Sequence, residues 1–140
     1  MIRMYHLKIL FFNLLPIYPL DGGKLLFLCF QKIIPWKTSL KISILIGYFF
    51  LLFFFLFLEW KWNLWIMIIL LITLLIKEHR QVSYQYQKFL LERYLYSYSF
   101  PKWKIIHHKN DFYRGKYHVI EEDKKYYWEK EYLEKHLKKD

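Results

Sequence analysis

Two charge-free apolar runs, separated by three residues, dominate what this chain can fold into. Ile42–Leu58 (ISILIGYFFLLFFFLFL) is 17 residues without a charge, and Trp62–Ile76 (WNLWIMIILLITLLI) is 15. At about 1.5 Å rise per residue the first spans roughly 25 Å, and Lys41 reaching back to the interface completes a crossing of a bilayer core of about 30 Å. The second is short, and its flanking Lys61 and Lys77 plus modest bilayer thinning accommodate it. Only Glu59-Trp60-Lys61 lies between them, so the pair predicts a helical hairpin. Trp60, Trp62 and Trp65 gather at its turn as an interfacial aromatic belt.

A third apolar stretch, Ile9–Phe30, carries Pro16, Pro19, Gly22 and Gly23 in its middle. Two prolines three apart break a continuous helix, and an irregular backbone at membrane depth survives only where protein or a water-filled cavity covers it. The reading is a segment running to Leu15, a Pro16–Pro19 turn, and a helix from about Gly22 to Lys32. Arg3 and Lys8 before an apolar run also suit a secretory signal, but no small-residue cleavage site follows.

Charge divides the chain. Residues 1–76 hold 7 basic and 2 acidic side chains, and residues 77–140 hold 15 and 10, which together make the net +10. So apolar a first part cannot be buried by so polar a second one, which excludes a single soluble globule. A lone cysteine, Cys29, excludes a disulfide scaffold and a cysteine metal site. The complete lack of alanine beside abundant Phe, Tyr, Lys and Ile is codon bias rather than fold. The expected fold class is an all-α membrane protein of three membrane segments, the first broken by prolines, with a small α+β cytosolic tail. The membrane domain is expected over 1–76, with segments at about 5–32, 40–59 and 62–77, and the tail over 77–140.

Lys32, Lys37 and Lys41 lie between the first and second segments, and Lys77 and Arg80 follow the third. The positive-inside rule puts both groups on the cytosolic side. Within the tail, Val82, Tyr86, Phe89, Leu90, Arg93 and Tyr94 recur at helical spacing over about Gln81–Tyr98, which ends before Pro101. Trp103–Ile106 and Tyr117–Ile120 read as strands with a turn at Arg114-Gly115 between them, and Tyr126–Leu137 reads as a helix. Six of the tail's ten acids sit within residues 121–134, so no clean basic face exists for nucleic acid. A basic surface beside membrane spans meets anionic lipid instead.

The stretch that bears on chemistry is Phe11–Lys24, FFNLLPIYPLDGGK. It puts one carboxylate, Asp21, inside an apolar span, where an ionised group is costly and marks a functional site with a partner. The plainer alternative is that Asp21 caps the following helix while the prolines stop the preceding one. Asn13 could hydrogen-bond an extended peptide or the loop itself.

The string Asn13-Leu14-Leu15-Pro16, with Pro19-Leu20-Asp21-Gly22-Gly23, resembles a signature of the site-2 protease family of intramembrane zinc metalloproteases. It looks most like the bacterial sporulation branch, the stage IV sporulation protein FB type, which cleaves a membrane-associated pro-sigma factor. The resemblance covers roughly residues 5–95. It implies a Zn2+ cofactor with Asp21 as the third protein ligand, and a role for Asn13, Pro16 and Pro19 in seating an extended substrate. The other two ligands are expected from an H-E-x-x-H helix, where two histidines at i, i+4 share a face and an open fourth position remains. No H-E-x-x-H occurs among His6, His79, His107, His108, His118 and His136. The chain therefore looks like the carboxy-terminal half of such an enzyme, from a truncated gene, a mis-assigned start or a split protease. The partners implied are the lipid bilayer, the amino-terminal protease half, a membrane-associated protein substrate and regulatory membrane proteins. The alternative is a non-catalytic membrane remnant or scaffold. In this branch the tail often ends in a CBS-like nucleotide-sensing domain. Phe112–Ile120 faintly resembles one, and a short, degenerate remnant is what these residues lead one to expect.

Overall fold

The computed structural model describes residues 2–18, 20–57, 62–96 and 98–138. Helices α1 (Ile2–Asn13), α2 (Asp21–Phe30), α3 (Trp36–Phe57) and α4 (Trp62–Leu95) are followed by strands β1 (Trp103–Ile106), β2 (Tyr117–Glu122) and β3 (Lys125–Trp128) and helix α5 (Glu129–Leu137). The proline-broken first stretch is two short helices, of 12 and 10 residues. Two helices, α3 and α4, are long and apolar enough to cross a membrane. The expected turn between them, Glu59–Lys61, lies outside the described residues.

Helix α3 starts four residues before the expected span, immediately after Pro35, whose carbonyl accepts both the Ser39 N–H and the Ser39 hydroxyl. Buried Ser39, Ser43 and Gly47 follow at i+4 spacing and make one small-residue face. Helix α4 holds 34 residues, about 51 Å. The expected end of the membrane part, at residue 76, falls inside it. No Gly or Pro interrupts Trp62–Leu95, so nothing in the sequence stops the helix where it leaves the apolar zone. What changes there is its pattern. Beyond Lys77 only Val82, Tyr86, Phe89, Leu90 and Arg93 are buried, a single stripe at the spacing expected from the sequence.

The tail forms a three-stranded sheet in the order β1-β2-β3. The first two strands are parallel, with Trp103 opposite Tyr117, and the last two are antiparallel, with Val119 opposite Trp128. The expected turn at Arg114-Gly115 is present, inside a ten-residue crossover, because parallel neighbours need a long connection. One expectation is corrected. The expected helix at Tyr126 begins three residues later, since Lys125–Trp128 is a strand. Asp123 and Lys124, both at positive φ, make the two-residue turn that sends it back along β2. The aromatic run Tyr126-Tyr127-Trp128 suits that strand.

The tail is docked on the helices. The Trp36 N–H donates to the Phe112 carbonyl at 2.9 Å. Lys37 Nζ donates to Asn110 Oδ1 at 2.9 Å, Arg114 Nη1 to Gln31 Oε1 at 3.1 Å, and the Tyr86 hydroxyl to the Lys109 carbonyl. Around these bonds Trp36 stacks on Phe89 with ring centroids 5.0 Å apart and meets Phe27 edge-on at 5.4 Å.

Candidate metal-ligand site and the tail latch

Asp21 is the first residue of α2. Leu20 occupies the cap position and makes no side-chain cap bond, so the helix-cap reading of Asp21 is corrected: the carboxylate stands one residue inside the helix. Its side chain is 73% exposed and lies 3.5 Å from Lys24 Nζ, an exposed ion pair of small energetic weight. The two glycines that follow are buried. A Cβ on Gly22 would collide with the Leu14 and Leu15 carbonyls, and one on Gly23 with the Ile17–Tyr18 backbone. The turn leaving α1 therefore lies backbone to backbone on the first turn of α2, which only glycine permits. Short bonds hold it there, from Ile17 N–H to the Leu15 carbonyl and from Leu20 N–H to the Ile17 carbonyl, both 2.7 Å. Ile17 is buried, and Gly47 of α3 lies against it.

This geometry brings Asn13, the last residue of α1, and Asp21, the first of α2, to the two ends of one turn, with half-buried Pro16 between them. Pro19 lies outside the described residues. Among the described residues no three His, Cys, Asp or Glu side chains stand close enough together to hold a metal. Asp21 can supply one oxygen ligand, and a zinc site needs about three from protein. The donor set of this chain fits one corner of such a site.

The tail histidines do not converge. His107 Nδ1 lies 3.4 Å from Glu121 on the surface, whereas His118 is wholly buried. His118 belongs to a cluster that the sequence reading missed. All five N–H donors of Arg93 are used: two reach the Glu129 carboxylate, and three reach the carbonyls of Tyr113, Arg114 and Lys116 at 2.8–3.1 Å. Glu129 Oε2 also accepts the His118 N–H at 3.0 Å and faces its Nδ1 at 3.1 Å. The Tyr113 N–H donates to His118 Nε2 at 3.0 Å, so Nε2 carries the lone pair and Nδ1 the proton. The signal was present in the sequence: Arg93 is the one charge on the buried stripe of α4.

Burial pushes the His118 pKa down, against the pull of Glu129. Burial pushes Glu129 up, but hydrogen bonds from His118 and Arg93 outweigh it and hold the carboxyl below its usual range. A histidine whose folded pKa lies below the unfolded value near 6.5 takes up its proton more readily when unfolded. The tail should therefore hold full stability above about pH 7 and lose it as pH falls through about 6.5 towards the lower folded value, by up to about 1.4 kcal/mol per pH unit. The thermal midpoint of the detergent-solubilised chain at pH 7.5 and 5.5 tests this. A midpoint that is unchanged or higher at pH 5.5 contradicts it.

A cleft of about 690 Å³ opens beside the latch, between the second half of α4, the ends of α2 and α3, and the tail, with Phe27, Trp36, Lys88, Phe89, Tyr98 and Arg114 on its walls.

The sequence profile of peptidase family M50 matches residues 1–55, which contain the whole turn and Asp21. Stage IV sporulation protein FB of Bacillus subtilis is 44% identical over 98 residues, which is 64% of this chain and 33% of that protein. The chain spans about a third of the length of the curated relative it matches. Two membrane-length apolar helices and this kinship mark a membrane protein. These matches support the site-2 protease family, peptidase family M50, with likeness to stage IV sporulation protein FB.

Proposed function

We propose that this chain supplies the aspartate-bearing part of an intramembrane zinc metalloprotease that cleaves a membrane-associated precursor, of the sporulation pro-sigma factor type. The observation that carries the proposal is the placement of Asp21. It is an exposed carboxylate at the head of α2, fixed by backbone packing at Gly22 and Gly23, inside the segment that matches the family.

Asp21 is the third metal ligand in this reading, and two histidines of an H-E-x-x-H helix come from an amino-terminal half. When bound there, zinc supplies Lewis-acid activation of the attacking water and the scissile carbonyl. The chain's own residues do the positioning. The locked turn keeps the Asp21 backbone from shifting, so its carboxylate meets the metal at one place. The Asn13 side chain, half-buried and without a hydrogen-bond partner among the described residues, donates and accepts to the backbone of an extended substrate. Pro16 and Pro19 help seat that strand in this reading. Lys24, in a weak exposed ion pair with Asp21, would give that carboxylate up to the metal. The tail and the lysines Lys32, Lys37 and Lys41 before and at the start of α3 face the cytosol, and the lipid bilayer covers the apolar sides of α3 and α4.

Joining the chain to an amino-terminal segment carrying H-E-x-x-H, in sealed vesicles, tests the reading. The joined protein should bind about one zinc and cleave a membrane-associated precursor, and the chain alone should do neither. External protease should spare the tail in vesicles whose cytosolic face is inside. A joined protein without zinc supports the non-catalytic scaffold instead, and a digested tail reverses the topology.

A further inference from the structure

Three contacts fix which residues of α3 and α4 share a level. Phe55 meets Trp65 edge-on at 5.5 Å, Gly47 lies against the Leu75 side chain, and the Trp36 and Tyr86 rings are 5.9 Å apart. The helices are therefore antiparallel, and Lys41 stands opposite Arg80–Val82. The charge-free run of α3 begins just below, at Ile42, and that of α4 ends about one turn below, at Ile76. In the proposed topology this is the height of the lipid headgroups.

Basic side chains gather there. Lys37 and Lys41 are one turn apart on α3, and the Lys37 ammonium lies within electrostatic range of Lys41 and of Lys109 from the β1–β2 crossover. Lys37 Nζ donates to Asn110 Oδ1 at 2.9 Å and lies 5.2 Å from the centroid of the Tyr86 ring. Both partners are uncharged. Among the described residues no carboxylate pairs with Lys37 or with exposed Lys41. Asp111 is near enough to act on Tyr86, which leaves the group net positive. Glu78 of α4 is turned away, where it accepts a hydrogen bond at 2.7 Å from Gln85 on the cleft wall. An apolar track continues from the lysines into the membrane zone. At 3.6 residues per turn Lys37, Lys41, Leu45 and Leu52 fall within roughly a quarter of the circumference of α3. Leu45 is 67% exposed and Leu52 57%. From Lys41 to Leu52 the helix rises about 16 Å, roughly half of a hydrocarbon core of about 30 Å, or one leaflet.

We propose that this face of α3 binds one anionic phospholipid of the adjoining leaflet, its phosphate held by Lys37, Lys41 and Lys109 and an acyl chain lying along Leu45 and Leu52. The apolar track selects a lipid over a soluble anion, because a free phosphate leaves it bare. The unpaired charge selects a net negative headgroup, since a zwitterionic one sets its own cation against three ammonium groups. Lys37 is already held by Asn110 and Tyr86, so binding orders little that was free. The inference rests on the reading of α3 and α4 as membrane spans and does not depend on the metal site.

The test uses the full chain in phosphatidylcholine vesicles. Association of spin-labelled phosphatidylglycerol relative to spin-labelled phosphatidylcholine reads the selectivity. A preference of roughly fivefold or more is expected, about the factor one lysine contributes at a lipid surface. Lys41→Gln should lower it at an unchanged thermal midpoint, Lys41→Arg should keep it, and Lys37→Gln with Lys41→Gln should abolish it. Lys88→Gln, an equal loss of charge on the cleft wall, should leave it intact. An equal fall with Lys88→Gln would reduce the effect to overall charge and overturn the site. Loss of the preference in millimolar inorganic phosphate would make it a free-anion site and overturn the lipid. Extraction of the chain by carbonate overturns the span reading and this inference with it, whereas an inserted chain without lipid preference overturns this inference alone.

Discussion

Arg93→Ala should release the tail from α4 at a loss of about 3–5 kcal/mol, the range seen when one partner is removed from a buried ion pair. The size follows from what stays behind. Glu129, 7% exposed at its side chain, keeps its charge and loses two bonds. The carbonyls of Tyr113, Arg114 and Lys116 lose their donor as well. Arg93 also lies against the rings of Phe89 and Phe100, at 5.7 and 5.1 Å from their centroids, so its removal opens a gap. Arg93→Lys should recover little, since a point charge cannot serve two carboxylate oxygens and three carbonyls at once. Arg93→Met with Glu129→Leu should recover more than either single change, because it leaves no orphaned charge. Urea unfolding of the detergent-solubilised chain, followed by tail tryptophan fluorescence, reads the loss. Proteolysis between α4 and β1 should rise with it while α3 and α4 stay protected. A change under about 1 kcal/mol for Arg93→Ala would show that apolar contacts alone hold the tail.

The same residue shows how far the sequence could be read. Long-range architecture in the apolar half was legible because it rests on local quantities: run length for α3 and α4, proline spacing for the break between α1 and α2, and the i+4 stripe for the lower part of α4. The stripe already contained Arg93. Its role was hidden because the partners lie 20–36 residues away, and nothing in a helical pattern marks which glutamate of an acid-rich stretch folds inward. Strand β3 was hidden for a related reason. Glu129–Leu137 has helical charge spacing that drew Tyr126–Trp128 into the expected helix, and the turn at Asp123-Lys124 that makes those residues a strand carries neither Gly nor Asn. At the candidate site, Asp21, Asn13 and Pro16 were all legible as a motif. The reason for Gly22 and Gly23 was not, since a clash with the Leu14 carbonyl exists only once the turn has folded back.

In the protein joined to its H-E-x-x-H half, Asp21→Asn should cut precursor cleavage by roughly a hundredfold or more and leave folding almost untouched. Asn keeps the size and an oxygen of Asp21 but lacks the negative charge that binds the metal, and even residues that merely orient metal ligands cost about 10–100-fold when altered. The structural consequences are small. Asp21 is not the cap of α2 and makes no cap bond. The change removes a favourable charge at the helix N-terminus, about 0.3–1 kcal/mol, and an exposed pair with Lys24 of similar or lesser weight. Gly22→Ala gives the contrasting case, since it leaves the carboxylate intact and forces the Leu14–Tyr18 turn off α2. Cleavage, zinc content and thermal midpoint measured together on both variants separate the roles. A ligand predicts that Asp21→Asn loses zinc and cleavage at a nearly unchanged midpoint, whereas Gly22→Ala loses all three. Full zinc and full cleavage in Asp21→Asn would remove Asp21 from the metal site and leave the turn as a purely structural element of the membrane helices.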